Sequence, residues 1–321
     1  MQSSTHTVTT ADGTPLFVHH WLPDGPPKAV VQLAHGMAEH SARYERFAER
    51  LTAAGFAVYA ADHRGHGQTA SSTTPDHGYF ADRDGFDTVV ADLRTVTDHA
   101  REEQAGLPFF LFGHSMGSFL SRAYAIRWGH DLAGLVLSGT AGDPGALGRI
   151  GRAVALAQAR VRGRRHPSGL MDRLTFGQYN AAFKPNRTKF DWLSRDPDEV
   201  DKYIADIECG NLFTAGFFSD LLDGLARVNA DGEVSRVPKD LPILLISGDM
   251  DPVGEKSKGV RRVEAQYRRL GVTDVTSIFY PGARHELLNE TNRDEVMDDV
   301  IGWLDERLRA HSAGGAALGH G

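Results

Sequence analysis

A mostly parallel, doubly wound α/β sheet with an inserted helical cap is expected from this chain, on three grounds. Short β-branched or aromatic runs alternate with long amphipathic stretches over residues 29–138. Strands alternating with helices form parallel sheets covered on both faces. The alternation stops over about residues 143–239 and resumes at residues 243–246. At 321 residues the chain is also long enough for one large sheet domain carrying an insertion. The expected division is a core over 1–142, a helical cap over 143–239, a second part of the core over 240–311 and a tail over 312–321. The tail is small residues and glycine, and is expected to be disordered.

The elements follow in order. Residues 7–10 and 17–21 read as a strand pair across the turn Ala11-Asp12-Gly13. Val30-Val31-Gln32-Leu33-Ala34 is the short apolar run of a buried strand. Residues 41–54 read as a helix, with Tyr44, Phe47, Ala48 and Leu51 on one face and Gly55 at its end. A strand over 57–61, a helix over 85–103 and a strand over 109–112 come next. The last runs at once into a helix over 115–128, and 134–138 is another strand. Beyond the interruption lie strands over 243–246 and 276–280 and a final helix over 292–309.

Composition narrows the class. Hydrophobic residues at 41% and charged residues at 24% are those of a globular protein, which excludes a disordered or fibrous chain. No apolar run approaches the roughly 18 residues of a membrane span. A net charge of -7 argues against a nucleic-acid partner. The single cysteine, Cys209, excludes an internal disulfide and a cysteine-built zinc site. The residues from Met1 to His6 show no basic segment followed by an apolar one, so no secretory leader is expected and a cytoplasmic location is.

The chemistry centres on Gly113-His114-Ser115-Met116-Gly117, a Gly-x-Ser-x-Gly motif with a strand before it and a helix after it. Such a sharp turn lifts the serine hydroxyl above the sheet. A serine needs a base to become nucleophilic. In this arrangement an acid and then a histidine follow, each in a loop after a later strand. Asp251 follows the strand at 243–246 and His285 the strand at 276–280; Asp249 is the rival for the acid. All three positions lie just past C-terminal strand ends, where open α/β sheets place their sites. Backbone N–H groups of Met37 and Met116 are expected to form an oxyanion hole, with Gly36 freeing the backbone to turn an amide inward. His35 reads as a hydrogen-bonded structural residue.

Three motifs together carry a family resemblance. They are His35-Gly36-Met37-Ala38-Glu39-His40-Ser41 followed by Arg43-Tyr44, then Asp62-His63-Arg64-Gly65-His66-Gly67, then the serine motif. Over roughly residues 7–308 the chain resembles the monoacylglycerol lipase and lysophospholipase-like branch of the α/β-hydrolases, also labelled serine aminopeptidase-like hydrolases. Phe190-Asp191-Trp192-Leu193-Ser194-Arg195 and Val200-Asp201-Lys202-Tyr203 resemble the cap of bacterial members. One departure is Asp206-Ile207-Glu208-Cys209, where relatives often read Asp-Pro-Leu before the cysteine; it puts an acid near the expected acyl channel.

Other signals are set aside. Gly65-His66-Gly67-Gln68-Thr69-Ala70 fits a dinucleotide fingerprint, but residues 71–76 are expected to be a loop instead of the helix such a fingerprint opens. His285-Glu286-Leu287-Leu288-Asn289 lacks the second histidine of a zinc protease helix, and Asp62 to His66 reads as a hydrogen-bonded turn. Cys209 reads as a small buried hydrophobe. Between 149 and 165 the cap holds six arginines and no acid. If helical, Ile150, Val154, Ala157 and Val161 share a face there. This is either an ordinary cap helix with a solvated basic edge or a helix resting on an anionic membrane.

The expected function is ester hydrolysis through an acyl-enzyme on Ser115, with His285 as base, Asp251 as its orienting acid, and no cofactor or metal. The resemblance implies a single-chain lipid substrate, monoacylglycerol first. An apolar cap channel is expected to be lined by Leu174, Phe176, Leu212, Phe213, Phe217, Phe218 and Leu221. The alternatives are a lysophospholipase, a short-chain carboxylesterase, a proline-type aminopeptidase and a non-catalytic binding protein. Oligomeric state is left open.

Overall fold

In the computed structural model, residues 1–73 and 76–318 are described, the side chains of 71–73 and 311–318 excepted. The chain opens with β1 (Gln2–Thr9) and β2 (Pro15–Leu22), an antiparallel pair in register from Gln2 opposite Leu22 to Thr9 opposite Pro15. Then come β3 (Ala29–Ala34), α1 (Glu45–Ala53), β4 (Phe56–Ala61), α2 (Gly67–Thr73) and α3 (Gly85–Glu103). They are followed by β5 (Phe109–His114), α4 (Met116–Trp128) and β6 (Gly134–Ser138). Between β6 and the next strand lie α5 (Gly145–Arg162), α6 (Gly169–Phe176), α7 (Pro197–Ala205), α8 (Ala215–Val228) and α9 (Asp231–Val234). The chain closes with β7 (Ile243–Gly248), α10 (Lys258–Arg269), β8 (Val275–Tyr280) and α11 (Arg293–Leu318).

The eight strands form one sheet in the order β1-β2-β4-β3-β5-β6-β7-β8, parallel from β4 onward. Strands β3, β4 and β5 are buried on both faces, which is why they read as unbroken apolar runs. Alternate side chains point to opposite sides. Phe109 and Leu111 therefore join α3, α4 and α10 on one face. Phe110 and Phe112 join α1 and α11 on the other. Truncating one such phenylalanine to alanine costs about 3–5 kcal/mol.

Four local expectations change. The helix expected over 41–54 begins as a 3₁₀ turn, Ser41–Tyr44, before α1. The first three residues of the loop expected over 71–76 instead end helix α2, which opens at Gly67; Thr74 and Pro75 lie outside the described residues. The N-terminus of α2 is already served by Asp62, whose Oδ2 accepts from Gln68 N–H at 2.7 Å. An internal carboxylate thus stands where a dinucleotide would need its phosphate. The last helix runs through Leu318, into the tail expected to be disordered; residues 319–321 lie outside the described residues.

The fourth change concerns α5. Gly151, Ala155 and Ala159, four apart, turn inward and let α5 lie against α8. Of the apolar face inferred from periodicity, Ile150 (61% exposed), Ala157 and Val161 (83% exposed) therefore point outward, while Val154 packs against the core. Arg152, Arg164 and Arg165 pair with Asp223, Asp220 and Asp76.

Candidate active site

Ser115 sits between β5 and α4 with φ 52° and ψ -118°, a backbone conformation L-residues avoid. Holding it costs of order 1–3 kcal/mol and requires support from its surroundings. Ser118 supplies part, donating to Ser115 O from N–H at 2.9 Å and from Oγ at 2.6 Å. The flanking glycines are required by close approach. A Cβ at Gly117 would lie 2.0 Å from Ala34 O, and one at Gly113 2.4 Å from Gly117 O.

Asp251 and His285 follow β7 and β8. His285 Nδ1 lies 3.0 Å from Asp251 Oδ2, and both residues are buried. Asp251 Oδ1 accepts from Val253 N–H at 2.9 Å, which fixes the carboxylate. The rival Asp249 is exposed and accepts from Gly282 N–H. Burial acts most strongly on His285 and pulls its pKa down. The charge and hydrogen bond of Asp251, with Glu286 and Glu39 beyond, together outweigh burial and raise it above 6.5. The neighbouring His114 ring, 4.7 Å away, bonds Ser138 Oγ at 3.2 Å, and burial, outweighing the more distant charge of Glu286, drives its pKa down to about 3.

Met116 is the first residue of α4, so its N–H has no partner within the helix. Met37 lies in the loop after β3 and lines the same cavity as Ser115. The left-handed residue of that loop is Ala38, at φ 61°, and not Gly36. Gly36 N–H is bound by Glu39 Oε1 at 2.6 Å. Ala38 O accepts from Tyr203 Oη at 2.8 Å and from Gly210 N–H at 3.0 Å, so segments from α7 onward pin the loop.

A second set of residues was not singled out from the sequence. Arg43 donates to both carboxylate oxygens of Glu286 and to Glu39 Oε2, each at 2.7 Å. Glu39 also accepts from Tyr44 Oη at 2.9 Å. The network joins the loop after β3 to the residue next to His285. Its signal was the four-residue spacing of Glu39 and Arg43. His35 accepts His63 N–H on Nε2 at 2.9 Å and holds Gly36 O through Nδ1 at 2.8 Å, a structural role.

Ser115, His285, Met37 and Met116 line a cavity of about 570 Å³, within the usual range for ligand sites. Of the expected channel residues, Phe176 and Leu221 line it. Leu174 and Leu212 are exposed, while Phe213, Phe217 and Phe218 pack into the core beneath. The apolar face of α8 is used up against that core. The aromatic wall comes instead from Trp192 and Tyr179, with the Trp192 ring 5.1 Å from His285. Glu208 does not line the cavity; it faces His77 at 3.7 Å. Nearby, His40, Asp206 and Cys209 offer atoms within 4.8 Å of one another. His40 and Asp206 already bond each other at 2.8 Å, and burial pushes the Cys209 thiol pKa up, away from the ligating thiolate.

Residues 25–292 match the family model described as serine aminopeptidase, S33. The chain belongs to this family. It is 33% identical over 311 residues to the monoacylglycerol lipase of Mycolicibacterium smegmatis, covering 95% of this chain and 98% of that one. It is 30% identical to the monoglyceride lipase of Mus musculus, covering 96% and 92%. A thermostable carboxyl esterase from Bacillus coagulans, crystallised with glycerol, superposes with a TM-score of 0.89 at 29% identity, covering 96% and 99%. As an S33-family member, the chain folds as an α/β-hydrolase, and residues of α6 and α7, between β6 and β7, line the cavity together with Ser115.

Proposed function

We propose that this protein hydrolyses the ester bond of monoacylglycerols. The observation that carries the proposal is His285, buried and paired with Asp251, lining the same aromatic-walled cavity as the strained Ser115. Ser115 Oγ attacks the ester carbonyl as His285 Nε2 takes its proton, and the tetrahedral oxyanion meets the N–H groups of Met37 and Met116. Asp251 holds the Nδ1–H tautomer and stabilises the imidazolium. The protonated His285 then gives its proton to the departing glycerol, leaving the acyl group on Ser115. Water, deprotonated by His285, attacks the acyl carbonyl, and His285 returns the proton to Ser115 Oγ as the fatty acid leaves.

The relatives named for monoacylglycerol support the substrate. The cavity disfavours a free amino terminus. Glu39 and Glu286 are committed to Arg43, and Asp172 is opposed by Lys189, so an aminopeptidase's acidic anchor is missing among the described lining residues. A panel of monoacylglycerol, lysophosphatidylcholine, p-nitrophenyl esters and aminoacyl arylamides tests the reading. Monoacylglycerol should give the highest kcat/KM; preference for lysophosphatidylcholine or an arylamide would overturn it.

Substrate held in a lipid phase must be reached. No helix among the described residues is long and apolar enough to cross a membrane. Leu147, Ile150, Val161 and Leu170 are at least half exposed on α5 and α6, beside Arg149, Arg160 and Arg162. This surface supports cytoplasmic-face, peripheral contact with anionic lipid. Ile150→Ser combined with Val161→Ser should reduce sedimentation with phosphatidylglycerol vesicles.

A further inference from the structure

Far from Ser115, three histidines and a glutamate converge where the β1–β2 hairpin meets the last turn of α3. His6 on β1 and His20 on β2 share one face of the hairpin, since His20 pairs with Ser4. Their rings are 5.2 Å apart. His99 and Glu103 stand one turn apart on α3. His99 Nε2 lies 2.8 Å from His6 Nε2 and 3.4 Å from Glu103 Oε1. His20 Nδ1 lies 3.9 Å from Glu103 Oε2. His6, His20 and Glu103 each offer one ligand atom, all within 4.8 Å of one another.

Two further features point to a ligand. His20 Nδ1 is buried with no hydrogen-bond partner. Glu103 Oε2, the oxygen facing His20, accepts from Tyr59 Oη at 2.7 Å, which leaves Oε1 toward His99, and Tyr59 is itself held by Gln104 Nε2 at 3.2 Å. Such outer partners orient the ligands of metal sites. Donors around one zinc ion, with bonds of about 2.0–2.2 Å, stand roughly 3.3–3.6 Å apart. The spacings of 2.8, 3.4 and 3.9 Å straddle that range; His6, His20 and Glu103 already converge within 4.8 Å, and the His99 ring would turn to join them.

We propose that His6, His20, His99 and Glu103 form a binding site for a zinc-class divalent transition-metal ion. Imidazoles with one carboxylate suit zinc, nickel or copper; magnesium and calcium prefer all-oxygen sets. The ion would clamp the hairpin, including the edge strand β1, to α3. Glu103 lies just before β5 begins, whereas Ser115 follows its end, so the clamp is remote from the cavity. Its role is structural.

The test uses tag-free full-length protein stripped with EDTA, titrated with cobalt(II) and with zinc(II). Cobalt should bind at one ion per chain with the intense visible bands of a tetrahedral nitrogen–oxygen site, and zinc should raise the Tm. His6→Ala and His99→Ala should each weaken cobalt binding at least about tenfold, and Glu103→Gln, which keeps the side-chain shape, should do the same. All three should lose the zinc-induced Tm rise while keeping wild-type ester hydrolysis, which shows that they are folded. Absence of bound cobalt at millimolar concentration would overturn the proposal and leave a plain imidazole–imidazole hydrogen bond. So would binding that survives His6→Ala combined with His99→Ala, or binding abolished by His40→Ala.

Discussion

The His285 imidazole faces Asp251 across 3.0 Å, and both side chains are buried, His285 at the wall of the cavity. Burial and the partner's charge act on His285 in opposite directions, and the carboxylate, with help from Glu286 and Glu39, prevails. That balance sets what the site can do at neutral pH and how it responds to substitution.

Replacing the nucleophile is the most direct check. Ser115→Ala should lower ester turnover about a million-fold while the protein stays folded. Active-site titration with a fluorophosphonate should label the wild type at one site and the variant at none. Near-normal turnover by the folded variant would falsify the assignment.

The acid can be located by comparison. Asp251→Asn should cost about ten-thousand-fold in kcat, because the amide stabilises the wrong His285 tautomer. Asp249→Asn removes a carboxylate that meets only Gly282 N–H among the described residues, and should cost little. Reversed effects would move the acid to Asp249.

The pH profile follows from the same pair. In the proposed mechanism hydrolysis needs neutral His285, and the protonated form dominates below its pKa. Because that pKa lies above 6.5, kcat/KM should fall on acidification through a limb above pH 6.5. Asp251→Asn removes the raising charge and leaves burial, so the residual activity should show a limb at lower pH.

Tyr203→Phe deletes one of two donors to Ala38 O. A neutral hydrogen bond contributes about 1 kcal/mol net, which is roughly fivefold in rate. The loss should fall on kcat more than KM, since the loop's N–H serves the oxyanion more than the ground state. A pure rise in KM would argue that Tyr203 shapes the substrate pocket instead.

Arg43→Met leaves Glu39 and Glu286 buried without their shared cation. Breaking such a pair costs about 3–5 kcal/mol. Urea denaturation should show the drop, and a change below 1 kcal/mol, on the order of a surface ion pair, would mean the network is solvated.

Acyl length reads the cavity. Each buried methylene contributes roughly 0.8 kcal/mol, up to about three- to fourfold in kcat/KM. A series from two to sixteen carbons below the micelle concentration should rise until the cavity is full. Monotonic decline from acetate would leave a small-ester esterase.

Legible in the sequence were the alternating core, the strand-free stretch between β6 and β7, and the positions of Ser115, Asp251 and His285 just past strand ends. These are local properties: apolar period, glycine spacing and position just past a strand are all written within a few residues. The tertiary structure decided what local period cannot encode, namely which neighbour takes each apolar face. Phe213, Phe217 and Phe218 went to the core because α8 lies on it, and Trp192 and Tyr179 took the cavity wall. On α5, the small stripe of Gly151, Ala155 and Ala159 won the inward position because close helix approach favours small side chains over large ones. The Arg43 network and the His6, His20, His99 and Glu103 cluster join residues from separate elements, up to 243 positions apart in the chain. The four-residue spacings of Glu39 with Arg43 and of His99 with Glu103 hint at single pairs, but only folding brings the remaining groups within bonding distance.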